Sequence, residues 1–95
     1  MTHAPIVHSR EAQRFEATVD GQRAFVAYRS HGETIVFTHT EVPPALEGRG
    51  IGSALAKAAL EYARGAGLAV VPLCPFVASY IRRHPQYEPL IRSTP

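Results

Sequence analysis

The segment "LEGRGIGSALAKAALEYA", Leu46 to Ala63, constrains this chain more than any other. It places Gly48, Gly50 and Gly52 within five residues, directly ahead of an alanine-rich run. Glycine weakens a helix, so three of them in front of one mark a backbone that must turn sharply or be approached closely. From Ile51 the apolar residues fall at Ile51, Ala54, Leu55, Ala58 and Tyr62, a helical spacing, with Ser53, Lys57, Glu61 and Arg64 on the other face. Gly65 or Gly67 is placed to cap its C-terminus.

What precedes the loop is of a different kind. "RFEATVD" puts Phe15, Ala17 and Val19 on one side and Glu16 and Thr18 on the other, the alternation of a half-buried strand. Asp20-Gly21 is a two-residue hairpin signal. "QRAFVAYR" reads as the return strand, Ser30-His31-Gly32 as a second turn, and the β-branched "ETIVFTHTEV" as a third strand closed by Pro43-Pro44. After the helix, "LAVVPLC" is a short buried strand and "FVASYIRRH" a second helix stopped before Pro85. The tail "QYEPLIRSTP" fits either an irregular segment or an edge strand.

The fold class expected is therefore α+β: an antiparallel meander, then a β-α-β unit and a short C-terminal helix. Ninety-five residues fit one domain, 1–95, with a modest core. No apolar run approaches the roughly 20 residues that span a bilayer, and the N-terminus lacks the layout of a signal peptide. A cytoplasmic location is the expectation, with no membrane partner.

Ten basic and eight acidic residues leave a net charge of +2. That is too mild for a nucleic-acid partner, which needs a concentrated basic face. Lys57 is the only lysine, so a Schiff-base enzyme would rest on that one helical residue. One cysteine, Cys74, excludes an internal disulfide and a cysteine-based zinc cluster, and His3, His8, His31 and His84 are scattered without metal spacing. No metal is expected.

A strand–loop–helix–strand unit normally makes its two strands parallel and binds ligands beyond their carboxyl ends. The first helical N–H groups lack intrahelical partners, and with the helix dipole they form a place for phosphate. Gly48 to Ser53 reads either as a pyrophosphate cradle or as a tight turn that holds nothing. A Walker loop would need Gly-Lys-Ser or Gly-Lys-Thr where this chain has Gly-Ile-Gly-Ser. A dinucleotide fingerprint is G-x-G-x-x-G after the first strand; here G-x-G-x-G follows a meander.

The stretch Leu46-Glu47-Gly48-Arg49-Gly50-Ile51-Gly52 resembles the acyl-CoA loop of the GNAT superfamily of N-acetyltransferases. The resemblance runs from about Phe15 to Ile91. It is densest from His39 to Tyr87, where the loop, the Pro-x-Cys after the next strand and a His-Pro after the last helix resemble a small single-domain branch. Glu47 departs from the family's Gln or Arg, and no segment is long enough for the two N-terminal helices that wall the acceptor site in larger members. The resemblance implies acetyl-CoA between the strands ending at Val42 and Cys74. Val42 would meet the pantetheine arm, and Glu47, Gly48, Arg49, Gly50, Ile51, Gly52 and Ser53 would surround the pyrophosphate. The acetyl group would pass to an amine of a protein, a polyamine or a small metabolite. A non-catalytic CoA-binding sensor or interaction module is the other class that fits. An open acceptor face suits a monomer or a weak homo-oligomer.

The catalytic candidates are Cys74, Glu41, Tyr80 and His39. Cys74 precedes Pro75 and so stands at a helix N-cap, where a thiolate is favoured. It fits an acetyl-accepting nucleophile, a thioester-orienting group or a small core residue. Glu41 alternates onto one face with His39, Phe37 and Ile35, and either Glu41 or His39 suits a base for an acceptor ammonium. Both fit equally as ordinary strand residues. Tyr80 stands where the resemblance implies return of a proton to the CoA thiolate; packing on the sheet is its other reading. Arg82 and Arg83 read as a solvated helix end or as contacts for the CoA 3′-phosphate.

Overall fold

The computed structural model describes residues 5–91. One five-stranded sheet runs in the order β1 (Val7–Ser9), β2 (Arg14–Val19), β3 (Gln22–His31), β4 (Thr34–Glu41), β5 (Ala69–Pro72). The first four pair antiparallel and β5 lies parallel to β4. Helix α1 (Ile51–Gly65) makes the crossover, and α2 (Pro75–Arg83) follows β5. The mixed α+β architecture agrees with the sequence reading.

Local chemistry explains most of these elements. Asp20 and Gly21 both take positive φ, 52° and 75°, as a two-residue hairpin turn requires. Helix α1 ends with Leu68 N–H donating to Ala63 C=O and Gly67 N–H to Arg64 C=O, a Schellman closure. Pro75 opens α2 behind Cys74, where a missing N–H costs nothing.

The core lies on one side of the sheet. Phe15, Ala17, Ala24, Val26, Tyr28, Ile35, Phe37 and Val70 are buried against Leu55, Ala56, Ala59 and Leu60 of α1 and Val77 and Ile81 of α2. The other face carries Arg14, Glu16, Arg23, Phe25, Ala27, Val36 and Val71, none of them fully buried.

Five details correct the sequence reading. Strand β1 was not expected; it is a three-residue edge strand held by an aromatic cluster, with His8 stacked on Phe15 at 4.1 Å and edge-on to Tyr62 at 4.5 Å. The second turn is Gly32-Glu33, because β3 runs through His31 and pairs it with Thr34. The buried stripe of α1 is Gly52, Leu55, Ala56, Ala59, Leu60 and Ala63, rotated from the expected one, in which only Leu55 is fully buried. Alanine on every side of this helix blurs its periodicity.

The fourth concerns β4. Ala27 pairs with His39 but Tyr28 pairs with Phe37, so Thr38 is an extra residue, a β-bulge. A bulge reverses the alternation beyond it. Ile35 and Phe37 face the core, whereas His39 and Glu41 stand exposed and Thr40 turns toward Cys74. The single face expected for Ile35, Phe37, His39 and Glu41 is broken at Thr38. As far as residue 91, the tail forms a 3-10 helix, Pro85–Leu90, rather than an irregular segment or an edge strand, and Ile91 makes only an isolated parallel bridge to Val70.

Candidate active site

Strands β4 and β5 pair only as far as Phe37 and Pro72, with Cys74 N–H still donating to Phe37 C=O at 2.9 Å. There the chain turns away into α2 while β4 continues to Glu41. Among the described residues, the edge of β4 from Thr38 onward has no strand on that side. A cavity of about 650 Å³ opens at this divergence, within the range of small-molecule and cofactor sites. It is lined by Thr40, Glu41 and Val42 from the strand end, and by Leu46, Glu47, Gly48 and Gly50 from the loop. Ile51, Gly52 and Ser53 of α1 and Phe76 and Arg83 of α2 complete it.

The glycines serve two needs. Gly48 and Gly50 take φ of 83° and 77°, a left-handed conformation that side chains resist, and a Cβ at either would meet nothing within 4 Å. Gly52 has an ordinary helical position, but a Cβ there would lie 2.7 Å from Phe76 Cζ. Conformation fixes the first two and close packing the third.

Gly50 is the N-cap of α1, and among the described residues no side chain caps the helix. The first intrahelical bond runs from Ala54 N–H to Gly50 C=O at 3.0 Å. Among the described residues, the N–H groups of Ile51, Gly52 and Ser53 have no acceptor, and all three residues line the cavity. No acidic residue occupies the first turn to compete for them. The arrangement fits an anion of pyrophosphate type.

The candidates singled out from the sequence are distributed unevenly. Val42, Glu47, Gly48, Gly50, Ile51, Gly52 and Ser53 line the cavity, as does Glu41. Arg49 is not in the lining; its guanidinium donates to Asp20 of the β2–β3 turn at 3.2 Å. His39 Nε2 lies 3.4 Å from Glu41 Oε1, with both side chains more than half exposed. Cys74 is 2 % exposed and sits behind Thr40, its Sγ 3.0 Å from Thr40 Oγ1.

Tyr80 is buried and away from the lining, stacked on His84 at 3.9 Å and near Tyr87 at 6.2 Å. Burial pushes its hydroxyl pKa up. Tyr87 donates to Glu61 at 2.6 Å and is pushed up to about 12, chiefly by burial and then by that carboxylate. The Tyr87 bond in turn is the main cause holding Glu61 below the usual carboxylate range. These contacts fasten the tail segment to α1.

Thr40 and Phe76 escaped the sequence reading, and Leu46 entered it only as the first residue of the loop. Thr40 faces Cys74 only because of the bulge, and Phe76 gave no signal except its place after Cys74-Pro75. Among the described residues no three His, Cys, Asp or Glu gather to hold a metal, and no helix is long and apolar enough to cross a membrane.

Comparison with known proteins matches residues 14–90 to the family model described as GCN5-related N-acetyl-transferase. Protein NATD1 of Mus musculus is 36% identical over 93 residues, covering 95% of this chain and 84% of that protein. Protein NATD1 of Xenopus tropicalis is 33% identical over 93 residues, covering 95% of this chain and 85% of that protein. The NMR solution structure of a GCN5-like protein from Staphylococcus aureus superposes with a TM-score of 0.75 at 26% identity, covering 100% of this chain and 94% of that one.

Proposed function

This chain belongs to the GCN5-related N-acetyl-transferase family, and on that footing we propose that it binds acetyl-CoA in the cavity where β4 and β5 diverge and passes the acetyl group to an amine. The observation that carries the reading is the set of free amides at Ile51, Gly52 and Ser53, opening into a cavity that also reaches the free edge of β4. An anion and an extended amide-bearing arm are what such a site can satisfy.

The fit extends to individual residues. The three amides and the main chain around Gly48 and Gly50 hold the pyrophosphate, and main-chain groups at Val42 pair with the pantetheine arm. Bound acetyl-CoA supplies an activated acyl group as a thioester. Glu47 lines the cavity but its carboxylate repels phosphate, so it stays off the anion. Arg49 contributes only by exchanging Asp20 for a phosphate oxygen.

Glu41 lines the cavity and touches His39, so this pair is placed to take a proton from an acceptor ammonium. Direct attack by the amine is the favoured route, because Cys74 is buried behind Thr40. Its thiol then orients Thr40 rather than carrying the acetyl group. An acetyl-Cys74 route requires Thr40 to swing aside. The acceptor belongs to a protein, a polyamine or a small metabolite.

A non-catalytic CoA sensor is the second reading. It is favoured by the exposure of Glu41 and His39 on a sheet face that no described element covers.

Calorimetric titration with CoA, followed by an amine screen with acetyl-CoA, tests both. Binding with an acetylated amine supports the enzyme, and binding without turnover supports the sensor. Absence of binding overturns both.

A further inference from the structure

Among the described residues, one cationic side chain lines the cavity. Among its lining residues Glu41 and Glu47 carry carboxylates and Arg83 alone is basic. Arg49, the basic residue nearest the free amides in sequence, is engaged with Asp20 instead. Arg14, Arg23 and Arg64 are likewise within 4 Å of carboxylates, whereas Arg83 makes no such contact among the described residues.

The placement of Arg83 follows from helix geometry. Phe76 and Arg83 are seven residues apart, two turns, and so share one face of α2. Phe76 lies against Gly52 in the first turn of α1. Arg83 therefore stands about 10 Å along α2 from that contact, at 1.5 Å per residue. Phe76 and Arg83 both line the same cavity, two helical turns apart. Its neighbour His84 is fixed by Nδ1 against Tyr80 C=O at 2.9 Å and by stacking on Tyr80, which anchors the end of the helix that presents Arg83. Arg82 adjoins it in sequence but lies outside the lining.

A guanidinium with no carboxylate within 4 Å among the described residues, lining a cavity whose free amides come from the other helix, suits a second anionic group on the same ligand. We infer that Arg83 reads the 3′-phosphate of CoA, so that the site discriminates CoA from dephospho-CoA. This rests on the acetyl-CoA reading and assigns one specificity-determining residue within it.

The test is calorimetric titration of the full chain with CoA and with dephospho-CoA, for the wild type, Arg83→Gln and Arg82→Gln. The wild type is expected to bind CoA about tenfold more tightly than dephospho-CoA, the scale of one charge-assisted hydrogen bond. Arg83→Gln is expected to bring the ratio near one by weakening CoA alone, while Arg82→Gln keeps it. A wild-type ratio near one, or a ratio that survives Arg83→Gln, overturns the inference and leaves the CoA site standing. Wild-type protein that binds neither nucleotide overturns the CoA reading and this inference with it.

Discussion

Phe76 rests its ring on the main chain of Gly52, so closely that a Cβ at Gly52 would meet Cζ at 2.7 Å. The contact joins the first turn of α1 to the first turn of α2, the two helix starts that flank the cavity. It lets the free amides of α1 and the side chains of α2 face one space. A larger residue at Gly52 would move the helices apart or push the ring into the cavity.

Gly52→Ala is expected to destabilise the protein despite the better helix propensity of alanine. Overpacking costs about 1–3 kcal/mol, and the propensity gain offsets up to about 1. A net loss of about 1 kcal/mol lowers Tm by roughly 4–8 °C in a domain of this size. Adding Phe76→Leu should restore most of it. Thermal unfolding followed by circular dichroism checks both variants; a single variant as stable as the wild type would mean the ring moves freely.

Gly50 tests conformation rather than space. Its φ of 77° costs a side-chain-bearing residue about 1–3 kcal/mol. Asparagine tolerates this region better than alanine, and a β-branched residue tolerates it worst. CoA affinity and Tm should fall in the order Gly50→Asn, Gly50→Ala, Gly50→Val, with at least about a tenfold loss of affinity for valine, the equivalent of about 1.4 kcal/mol. Equal affinities across the series would separate the loop's backbone from binding.

The sequence carried the meander, the crossover helix and the glycine loop because each has a strong local signature: alternation, Asp-Gly, Pro-Pro, and glycines ahead of a helical pattern. The bulge at Thr38 has none. It is one unpaired residue in a β-branched run, yet it decides which way Thr40, His39 and Glu41 point. Strand β1 was hidden because three residues show no period, and its hold on the sheet comes from aromatic contacts distant in sequence. The arginines depended on such contacts too: Asp20 draws Arg49 out of the lining, and of the pair Arg82 and Arg83 only Arg83 falls on the cavity side of α2. The cavity's backbone was readable, whereas its side chains depended on register and long-range contacts.

Alkaline stability should depend on Tyr87. Its folded pKa of about 12 exceeds the ordinary 10.0, so the unfolded state loses its proton first. The stabilisation is complete below pH 10 and is lost as pH rises toward 12. Tyr87→Phe keeps the ring but removes the bond to Glu61, at a cost of about 1 kcal/mol at neutral pH. Its Tm should decline less steeply in that alkaline window. Parallel declines would assign the effect to Tyr28 and Tyr80, whose hydroxyls burial also pushes up.

Mild acid should loosen β1. His8 lies against Phe15, Tyr28 and Tyr62, with its Nε2 2.6 Å from the Tyr28 hydroxyl and Arg10 over the Tyr62 ring. Burial first, and Arg10 second, hold its pKa below 6.5. The unfolded chain therefore takes the proton first, and stability falls as pH drops below 6.5 toward the folded value. Wild-type Tm should decrease as pH falls below 6.5, and His8→Gln should flatten that decrease while lowering Tm at neutral pH. An identical slope in both proteins would place the titrating group elsewhere.

Cys74 decides the chemical route. At 2 % exposure with Thr40 in front of it, its thiol should react with a thiol reagent much more slowly in the folded protein than after denaturation. Direct attack predicts that intact-protein mass spectrometry after incubation with acetyl-CoA finds no acetyl group on Cys74. It also predicts that Cys74→Ala keeps measurable transfer, at a stability cost of about 1 kcal/mol for the small void. Thr40→Val should slow transfer more than Cys74→Ala, because Thr40 lines the cavity and Cys74 does not. An acetyl adduct that disappears in Cys74→Ala, together with complete loss of turnover, would reverse the assignment. Cys74 would then be the nucleophile, and Thr40 the gate that must move before it can be reached.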